Sequence, residues 1–149
     1  MQEQAFELNI QDNTIFTGKI AAADVPLYYA LADASVDPIY NDLAARGRCP
    51  IKIFESWAMG IPLVTSDVGD RKELLGEPSA GKISLPGNPK SLALSIQSVL
   101  ENAQFAKSLS QLGKKRIKIY NWDILAKKLE LFYKASLQLT AKDENQAKG

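Results

Sequence analysis

The sequence predicts an α/β fold: a Rossmann-like parallel sheet followed by carboxy-terminal helices. Short apolar segments alternate with helical patterns, which indicates βαβ units and hence a parallel sheet. These segments are apolar throughout, as expected of strands that helices cover on both faces. The 149 residues suffice for one domain with a sizeable core and are too few to predict two. We expect the domain to span residues 1–139 and the polar tail, residues 140–149, to be disordered because it lacks core-forming side chains.

The first third of the chain contains two predicted strands with a helix between them. The segment NTIFTG (13–18) is rich in β-branched and aromatic residues and ends in a glycine, so it predicts a strand. A helix then begins near Asp24, with Pro26 in its first turn. Its predicted apolar face comprises Leu27, Tyr28 and Leu31. The segment ASVDP (34–38) predicts the second strand, and a polar loop follows it.

The segment CPIKIFESWAMGIPLVTSD (49–67) predicts a helix and then a buried strand. Apolar residues recur at helical spacing, at Ile51, Phe54 and Ala58. Gly60 interrupts this pattern, and the apolar run at 63–65 predicts a short strand.

The remainder of the chain is predicted to be mostly helical. The elements are, in order, a helix at 69–76, a strand at 81–85, a helix at 89–100 and two helices at about 103–120 and 121–139. Asn88 is the expected N-cap of the helix that Pro89 begins. Trp57 and Trp122 are expected to be packing aromatics and not platforms on which a base stacks.

Composition excludes several kinds of chemistry. The formal net charge of +1 gives no support for a nucleic-acid partner. The absence of histidine excludes Ser-His and Cys-His nucleophile pairs and histidine-ligated zinc, and the acidic residues lack the clustering that a divalent ion needs. The single cysteine, Cys49, fits a reducing compartment. Because the polar amino terminus lacks the features of a signal peptide and no apolar run approaches about 20 residues, we expect a cytoplasmic protein.

Two charged residues in the helix that begins near Pro50 suggest a ligand. The amino end of a helix that follows a strand attracts anions such as phosphate, and Lys52 would add a positive charge there. Glu55, one turn further on, can accept hydrogen bonds from two neighbouring hydroxyl groups, as on a ribose. Phosphate and diol together indicate a nucleotide. The alternative is that Lys52 is solvated and Glu55 is only its neighbour on the helix surface.

The order and spacing of four segments also resemble a known family. NTIFTGKI, DVPLYYALADASVDPIY, PIKIFESWAMGIPLVTSDVGDRKELL and GKISLPGNP are similar to the carboxy-terminal domain of the family 4 glycosyltransferases. These are retaining, nucleotide-sugar-dependent transferases with two facing Rossmann-like domains, the GT-B type. The resemblance runs from about Asn13 to about Tyr133.

The resemblance implies a donor site made of three parts. Glu55 corresponds to the glutamate that holds the ribose hydroxyls of the donor. The helix start Ile51-Lys52-Ile53 would lie beside the donor diphosphate, and the turn Gly18-Lys19-Ile20 would place backbone against the nucleobase. Lys19 is equally well interpreted as a solvated turn lysine. The implied ligand is a nucleoside diphosphate sugar, bound without a metal or another cofactor.

Two departures from the family pattern affect this prediction. The glutamate that contacts the transferred sugar in the family corresponds to Gly47, which has no side chain to offer. Asn41 or Asp42 could contact the sugar in its place, or they are turn residues. The family's first two βα units, which carry an arginine and a lysine that clamp the diphosphate, have no counterpart before residue 13. Arg46 and Arg48 could replace this clamp, or they are solvated loop residues.

The predicted function is therefore the nucleotide-sugar-binding part of a retaining glycosyltransferase, inactive as the isolated chain. A separate partner chain could supply the acceptor domain and the missing βα units. The basic cluster GKKRIK (113–118) could contact an anionic membrane surface, or it is a solvated helix face. The alternative function is a non-catalytic α/β interaction module or a degenerate remnant, which associates with a partner through its open sheet edges.

Overall fold

A computed structural model describes the backbone of residues 1–146 and the side chains of residues 1–137. The chain forms a three-stranded parallel sheet with helices on both faces, which confirms the predicted α/β fold. The strands, in spatial as well as chain order, are β1 (Ser35–Asp37), β2 (Leu63–Ser66) and β3 (Lys82–Ser84). The helices are α1 (Gln2–Glu7), α2 (Val25–Ala30), α3 (Leu43–Gly47), α4 (Ile51–Met59), α5 (Arg71–Leu75), α6 (Pro89–Leu100), α7 (Ala103–Arg116) and α8 (Trp122–Gln146). Short 3-10 helices occupy Gln11–Asn13 and Ile117–Tyr120.

The position of β2 at the centre of the sheet explains why its sequence does not alternate between apolar and polar residues. All four of its residues are buried. Leu63 points into a cluster with Ile53 of α4, whereas Val64 points the opposite way, against Val99 of α6. Successive side chains of a strand face opposite sides of the sheet, so both sides of β2 must be covered by helices.

The predicted strand at 13–18 does not form. Asn13 ends the preceding 3-10 helix, residues 14–18 are irregular chain, and Ile15 is 90% exposed. A strand needs a neighbour for its backbone hydrogen bonds, and within the described residues β1 is paired on one edge alone, by β2. In the sheet order that the family resemblance implies, two further strands would separate segment 13–18 from β1. The β pattern of this segment is therefore present without a strand to pair with.

The helix α2 forms where predicted, with Pro26 in its first turn, but its buried face was predicted wrongly. Leu27 and Leu31 are 64% and 86% exposed. The residues of α2 that are partly buried are Val25 and Tyr29. A six-residue helix has less than two turns, so the surface it lies against decides which side faces inward, and here that surface is α4.

Helix α4 is anchored by a glycine at its carboxyl end and by the packing of Trp57. Gly60 ends it in the left-handed conformation, with φ of 70°. Trp57 is buried, and its indole Nε1–H donates to the carbonyl of Ala80 at 2.9 Å. A Cβ atom at Gly113 of α7 would lie 2.3 Å from Cδ1 of Trp57, so only glycine lets the two helices approach this closely. Trp57 is thus a packing aromatic, as predicted.

The long helix α8 projects its apolar side chains outward. Trp122 is 83% exposed, so the prediction that it is a packing aromatic is wrong. Further exposed apolar residues of this helix are Leu129, Leu131, Phe132, Tyr133 and Leu137. The helical backbone continues to Gln146, and residues 147–149 lie outside the described residues. The predicted disorder of residues 140–149 stays a prediction. No helix in the described part of the chain is long and apolar enough to span a bilayer.

A buried ion pair joins the carboxyl end of β1 to the start of α5. The Arg71 guanidinium donates through Nε and Nη2 to Oδ2 of Asp37, at 3.4 and 3.2 Å. Its Nη1 donates to the carbonyl of Val68, and the Thr65 hydroxyl donates to the Asp37 carbonyl. Both side chains of the pair are almost completely shielded from solvent. Removing one partner would leave the other charge buried and unpaired.

We expect Arg71→Met to lower the free energy of unfolding by about 3–5 kcal/mol, because it leaves the Asp37 carboxylate buried without a counter-charge. The double variant Asp37→Asn/Arg71→Met should lower the free energy of unfolding by less than the sum of the losses caused by the two single variants. Urea unfolding followed by circular dichroism measures all three.

The matched control is Lys134→Met, which breaks the exposed Glu130–Lys134 pair of α8. It should cost no more than about 0.5 kcal/mol. An Arg71→Met variant as stable as this control would show that the buried pair is dispensable.

Candidate functional site

The loops after β1 and β2 meet at the carboxyl edge of the sheet. The amide of Ile39 donates to Oγ of Ser66 at 3.1 Å, which joins the two strand ends. Gly69 has φ of 58°, and a Cβ atom there would lie 2.6 Å from the carbonyl oxygen of Arg46. This glycine therefore lets the second loop approach the backbone of α3, which precedes α4. In open parallel sheets, ligands bind at this edge.

The start of α4 presents a cation to solvent beside this edge. Lys52 is exposed and Ile51 is 67% exposed, whereas the side chain of Ile53 is fully buried in the core. The amides of Ile51 and Ile53 donate to the carbonyls of Cys49 and Pro50, at 3.1 and 3.0 Å. At the predicted diphosphate position, Lys52 therefore contributes an accessible charge, whereas the Ile53 side chain is buried and its amide already has an acceptor.

Glu55 is half-buried one turn further along α4 and is held by a neighbour that the sequence analysis missed. The Tyr29 hydroxyl donates to Oε2 of Glu55 at 3.1 Å. Burial, and to a lesser degree the neighbouring Glu55 carboxylate, raises the pKa of Tyr29. Tyr29 therefore stays protonated and remains a donor at neutral pH. Its sequence position, beside Tyr28 in a helix with few inward positions, gave no signal of this role.

A cavity of about 200 Å³ lies next to the Tyr29–Glu55 contact. Its lining is mainly apolar and comes from α4, α2 and the segment just before α2. The lining residues are Ala22, Val25, Pro26, Tyr29, Glu55, Ala58 and Met59. Among these described residues Glu55 is the one carboxylate, so a ligand entering the cavity would meet a single strong hydrogen-bond acceptor on an apolar wall.

The chain bends at Lys19, within the predicted nucleobase turn, although the strand predicted before it does not form. Gly18 has φ of 64°, and nothing lies within 4 Å of the place where its Cβ would be. Lys19 is exposed and Ile20 is half-buried. None of the three lines the cavity beside Glu55, but Ala22, two residues beyond the turn, does.

The two candidate sugar contacts, Asn41 and Asp42, both make local hydrogen bonds. The Asp42 carboxylate caps α3 by accepting from the amide of Ala45 at 2.7 Å, and Oδ1 of Asn41 accepts from Nε of Arg46 at 2.7 Å. The predicted polar loop thus contains a helix. At Gly47, the end of that helix, nothing lies within 4 Å of the place that a Cβ atom would occupy, so packing leaves room for a side chain there.

Two other depressions of the domain lack the charged residues of the candidate site. Two open depressions of about 460 and 430 Å³ flank the outer edge of β3 and share Lys82 and Ile83. Neither contains Lys52 or Glu55. Within residues 1–137, no group of three or more His, Cys, Asp or Glu side chains could hold a metal ion.

The sequence and the fold both match one family of transferases. The sequence pattern described as "Glycosyl transferases group 1" matches residues 1–116, more than three quarters of the chain. The chain belongs to this family. Its similarity to known members lies in their carboxy-terminal part, which agrees with the resemblance found in the sequence.

Two curated relatives show the extent of the match. An uncharacterized glycosyltransferase of Methanocaldococcus jannaschii is 26% identical over 93% of this chain and 35% of its own length. The GDP-mannose-dependent alpha-(1-6)-phosphatidylinositol monomannoside mannosyltransferase of Mycobacterium tuberculosis is 24% identical over 89% of this chain and 35% of its own. The chain therefore spans about a third of the length of the curated relatives it matches.

Solved structures show the same fold. Sucrose-phosphate synthase from Thermosynechococcus elongatus superposes with a TM-score of 0.74 at 27% identity, over 95% of this chain and 34% of that one. The Anabaena protein HepE in complex with UDP superposes with a TM-score of 0.67 at 20% identity, over 91% of this chain and 35% of that one. The three-stranded sheet with its surrounding helices is thus the fold of a GT-B glycosyltransferase domain.

We expect Asp42→Ala to lower the free energy of unfolding by about 1 kcal/mol, because α3 loses its N-cap. Asp42→Asn should be nearly neutral, since asparagine caps as well as aspartate. Thermal unfolding of the two variants compares them directly. A loss as large for Asp42→Asn as for Asp42→Ala would show that the charge of Asp42 matters more than its capping bond.

Proposed function

We propose that this chain is the nucleotide-sugar-binding part of a retaining glycosyltransferase, which transfers a sugar from a nucleoside diphosphate sugar to an acceptor hydroxyl. The observation that carries the proposal is the position of Glu55: a half-buried carboxylate, held by Tyr29, on the wall of a cavity one turn from the exposed Lys52. The GDP-mannose dependence of the mycobacterial relative and the UDP bound by HepE support a nucleotide ligand.

In this proposal the ligand extends from the cavity to the start of α4. Glu55 accepts hydrogen bonds from the ribose hydroxyls, and the turn Gly18-Lys19-Ile20 approaches the base. Lys52 and the positive end of the α4 dipole stabilise the negative charge that grows on the departing diphosphate. This charge compensation needs no metal. The leaving phosphate accepts the proton of the acceptor hydroxyl, so the chemistry needs no histidine.

We further propose that the chain transfers no sugar when isolated. Catalysis requires donor and acceptor to be held in one geometry, and the proposed acceptor-binding surface would come from another domain or a separate partner chain. The single cysteine, Cys49, is exposed as a free thiol, which fits a cytoplasmic protein. Asn41 and Asp42 remain proposed sugar contacts. Each side chain already makes a local hydrogen bond, so a bound sugar would have to share these side chains with their present partners.

A second candidate function is a non-catalytic interaction module or degenerate remnant. It is favoured by the edge of β1 that no described strand pairs with and by the exposed apolar face of α8, which includes Trp122 and Phe132. Surfaces of this kind mark places where another polypeptide binds. Binding of a nucleoside diphosphate separates the two candidates, because an interaction module has no reason to bind one.

We expect Glu55→Ala to weaken nucleoside diphosphate binding by about 1.5–3 kcal/mol, the range for hydrogen bonds to a charged group. Isothermal titration with UDP and GDP measures the loss, and thermal unfolding shows whether the fold survives. Glu55→Gln is the matched control: it keeps the shape and one acceptor oxygen, so it should lose less. Unchanged binding by Glu55→Ala would exclude the ribose role.

The loss of affinity caused by Lys52→Ala should depend on whether the ligand carries phosphate groups. We expect it to reduce affinity for a nucleoside diphosphate more than for the bare nucleoside, and the difference should shrink at higher salt because Lys52 is exposed. Lys90→Ala, at the start of α6, is the control for a loss of one positive charge elsewhere. Equal losses for both ligands would place Lys52 away from the diphosphate.

The purified 149-residue chain should release no nucleoside diphosphate from UDP-glucose or GDP-mannose in the presence of acceptors. The same assay is then repeated with a co-expressed amino-terminal glycosyltransferase domain from the chain's own genome. Turnover by the isolated chain would contradict the inactivity proposal. Turnover only in the mixture would support a split enzyme, whereas no turnover in either assay, together with no nucleotide binding, would favour the interaction module or remnant.

A further inference from the structure

Tyr29 is the polar residue that α2 directs at α4. Its hydroxyl lies 3.1 Å from Oε2 of Glu55, and the contact is partly shielded from solvent. The residues are 26 positions apart in the chain, so the contact depends on the packing of the two helices. Tyr29 belongs to none of the three parts of the donor site that the sequence predicts.

The surroundings of this contact keep the backbone of Glu55 in place. The hydroxyl of Ser56, the next residue, lies 2.7 Å from the carbonyl of Lys52 and 2.7 Å from the hydroxyl of Ser35. A hydroxyl has one hydrogen and the carbonyl can only accept, so Ser56 donates to Lys52 and Ser35 donates to Ser56. This chain of bonds ties α4 to the start of β1. The backbone next to Glu55 is therefore held in place, which leaves the rotamer of the Glu55 side chain to be set by its own contacts.

We propose that Tyr29 is a positioning residue that holds the Glu55 carboxylate in the orientation that binds the ribose diol. The proposal rests on the proposed function of Glu55. A carboxylate offers two oxygens with about four acceptor sites, so the bond from Tyr29 leaves Oε1 and one site on Oε2 for two neighbouring hydroxyls. Without Tyr29, the Glu55 side chain would sample several rotamers, and binding would have to select one of them.

The alternative is that the hydroxyl of Tyr29 only helps to attach α2 to α4. In that case, removing the hydroxyl would lower the stability of the fold and would weaken the binding of all ligands of the cavity alike. A positioning role acts through Glu55, so it affects only ligands that carry the hydroxyl groups Glu55 binds. The two roles can therefore be separated by ligands with and without the 2′- and 3′-hydroxyls.

The test compares binding of UDP and 2′,3′-dideoxy-UDP, and of GDP and its dideoxy analogue, to the 149-residue chain. The variants are Tyr29→Phe, which removes only the hydroxyl, Glu55→Ala, and the double variant. Tyr28→Phe is the matched control, because Tyr28 is the neighbouring tyrosine and is about half exposed. Thermal unfolding of each variant is measured in parallel.

We expect the unchanged chain to prefer the diol ligand by about tenfold or more, which corresponds to hydrogen bonds with a charged group. Tyr29→Phe should reduce this preference about three- to tenfold, with dideoxy affinity changed less than about twofold. Tyr28→Phe should leave the preference unchanged. In a Glu55→Ala background, Tyr29→Phe should have no further effect on the preference, since both act through one carboxylate.

The outcomes distinguish this inference from the function on which it rests. If Glu55→Ala abolishes the diol preference and Tyr29→Phe does not change it, the positioning role is wrong and the ribose role of Glu55 stands. Equal weakening of diol and dideoxy ligands by Tyr29→Phe would also overturn it, in favour of a structural role. If the unchanged chain shows no diol preference, the proposed function of Glu55 is wrong, and the inference falls with it.

Discussion

The buried Arg71–Asp37 ion pair is the interaction on which the geometry of the carboxyl edge depends. Asp37 is the last residue of β1 and Arg71 the first of α5, so the pair closes the loop after β2 against the end of β1. The guanidinium also binds the carbonyl of Val68, within that loop. Both charges are shielded from water, and either one would be strongly destabilising without the other. Arrangements of the loop that separate Arg71 from Asp37 are therefore disfavoured.

This constraint reaches the candidate site through backbone contacts. The loop that Arg71 holds contains Gly69, which lies against the carbonyl of Arg46 at the end of α3. The chain then enters α4, whose start carries Lys52 and whose second turn carries Glu55. Within α4, Ser56 is bonded to Ser35 of β1 and Trp57 to the carbonyl of Ala80, so the site is built on a helix tied to the sheet and to the segment before β3. Such rigidity favours a preorganised site, in which little binding energy is spent on ordering.

The sequence predicts the helices, strands and caps that neighbouring residues determine. It misses the contacts between residues that are far apart in the chain. The position of β2, the glycine that ends α4 and the Asn88 cap of α6 all depend on neighbouring residues, and all three predictions are confirmed. The Asp37–Arg71 and Tyr29–Glu55 contacts join residues 34 and 26 positions apart, and no periodic pattern connects them. Segment 13–18 shows the converse case: it has the local pattern of a strand, but pairing is a property of the sheet. The roles of Glu55 and Lys52 stay predictions from residue chemistry and from resemblance, which the geometry makes testable.

The most direct test of a nucleotide site at the start of α4 is a titration of the ¹⁵N-labelled chain with UDP and with GDP, followed by amide chemical shifts. A donor site predicts saturable shifts concentrated at residues 51–56 and 18–29, with a single dissociation constant for both regions. Shifts confined to the grooves along β3, around Lys82 and Ser91, would contradict this site. The absence of any saturable shift at millimolar nucleotide would contradict nucleotide binding by this chain.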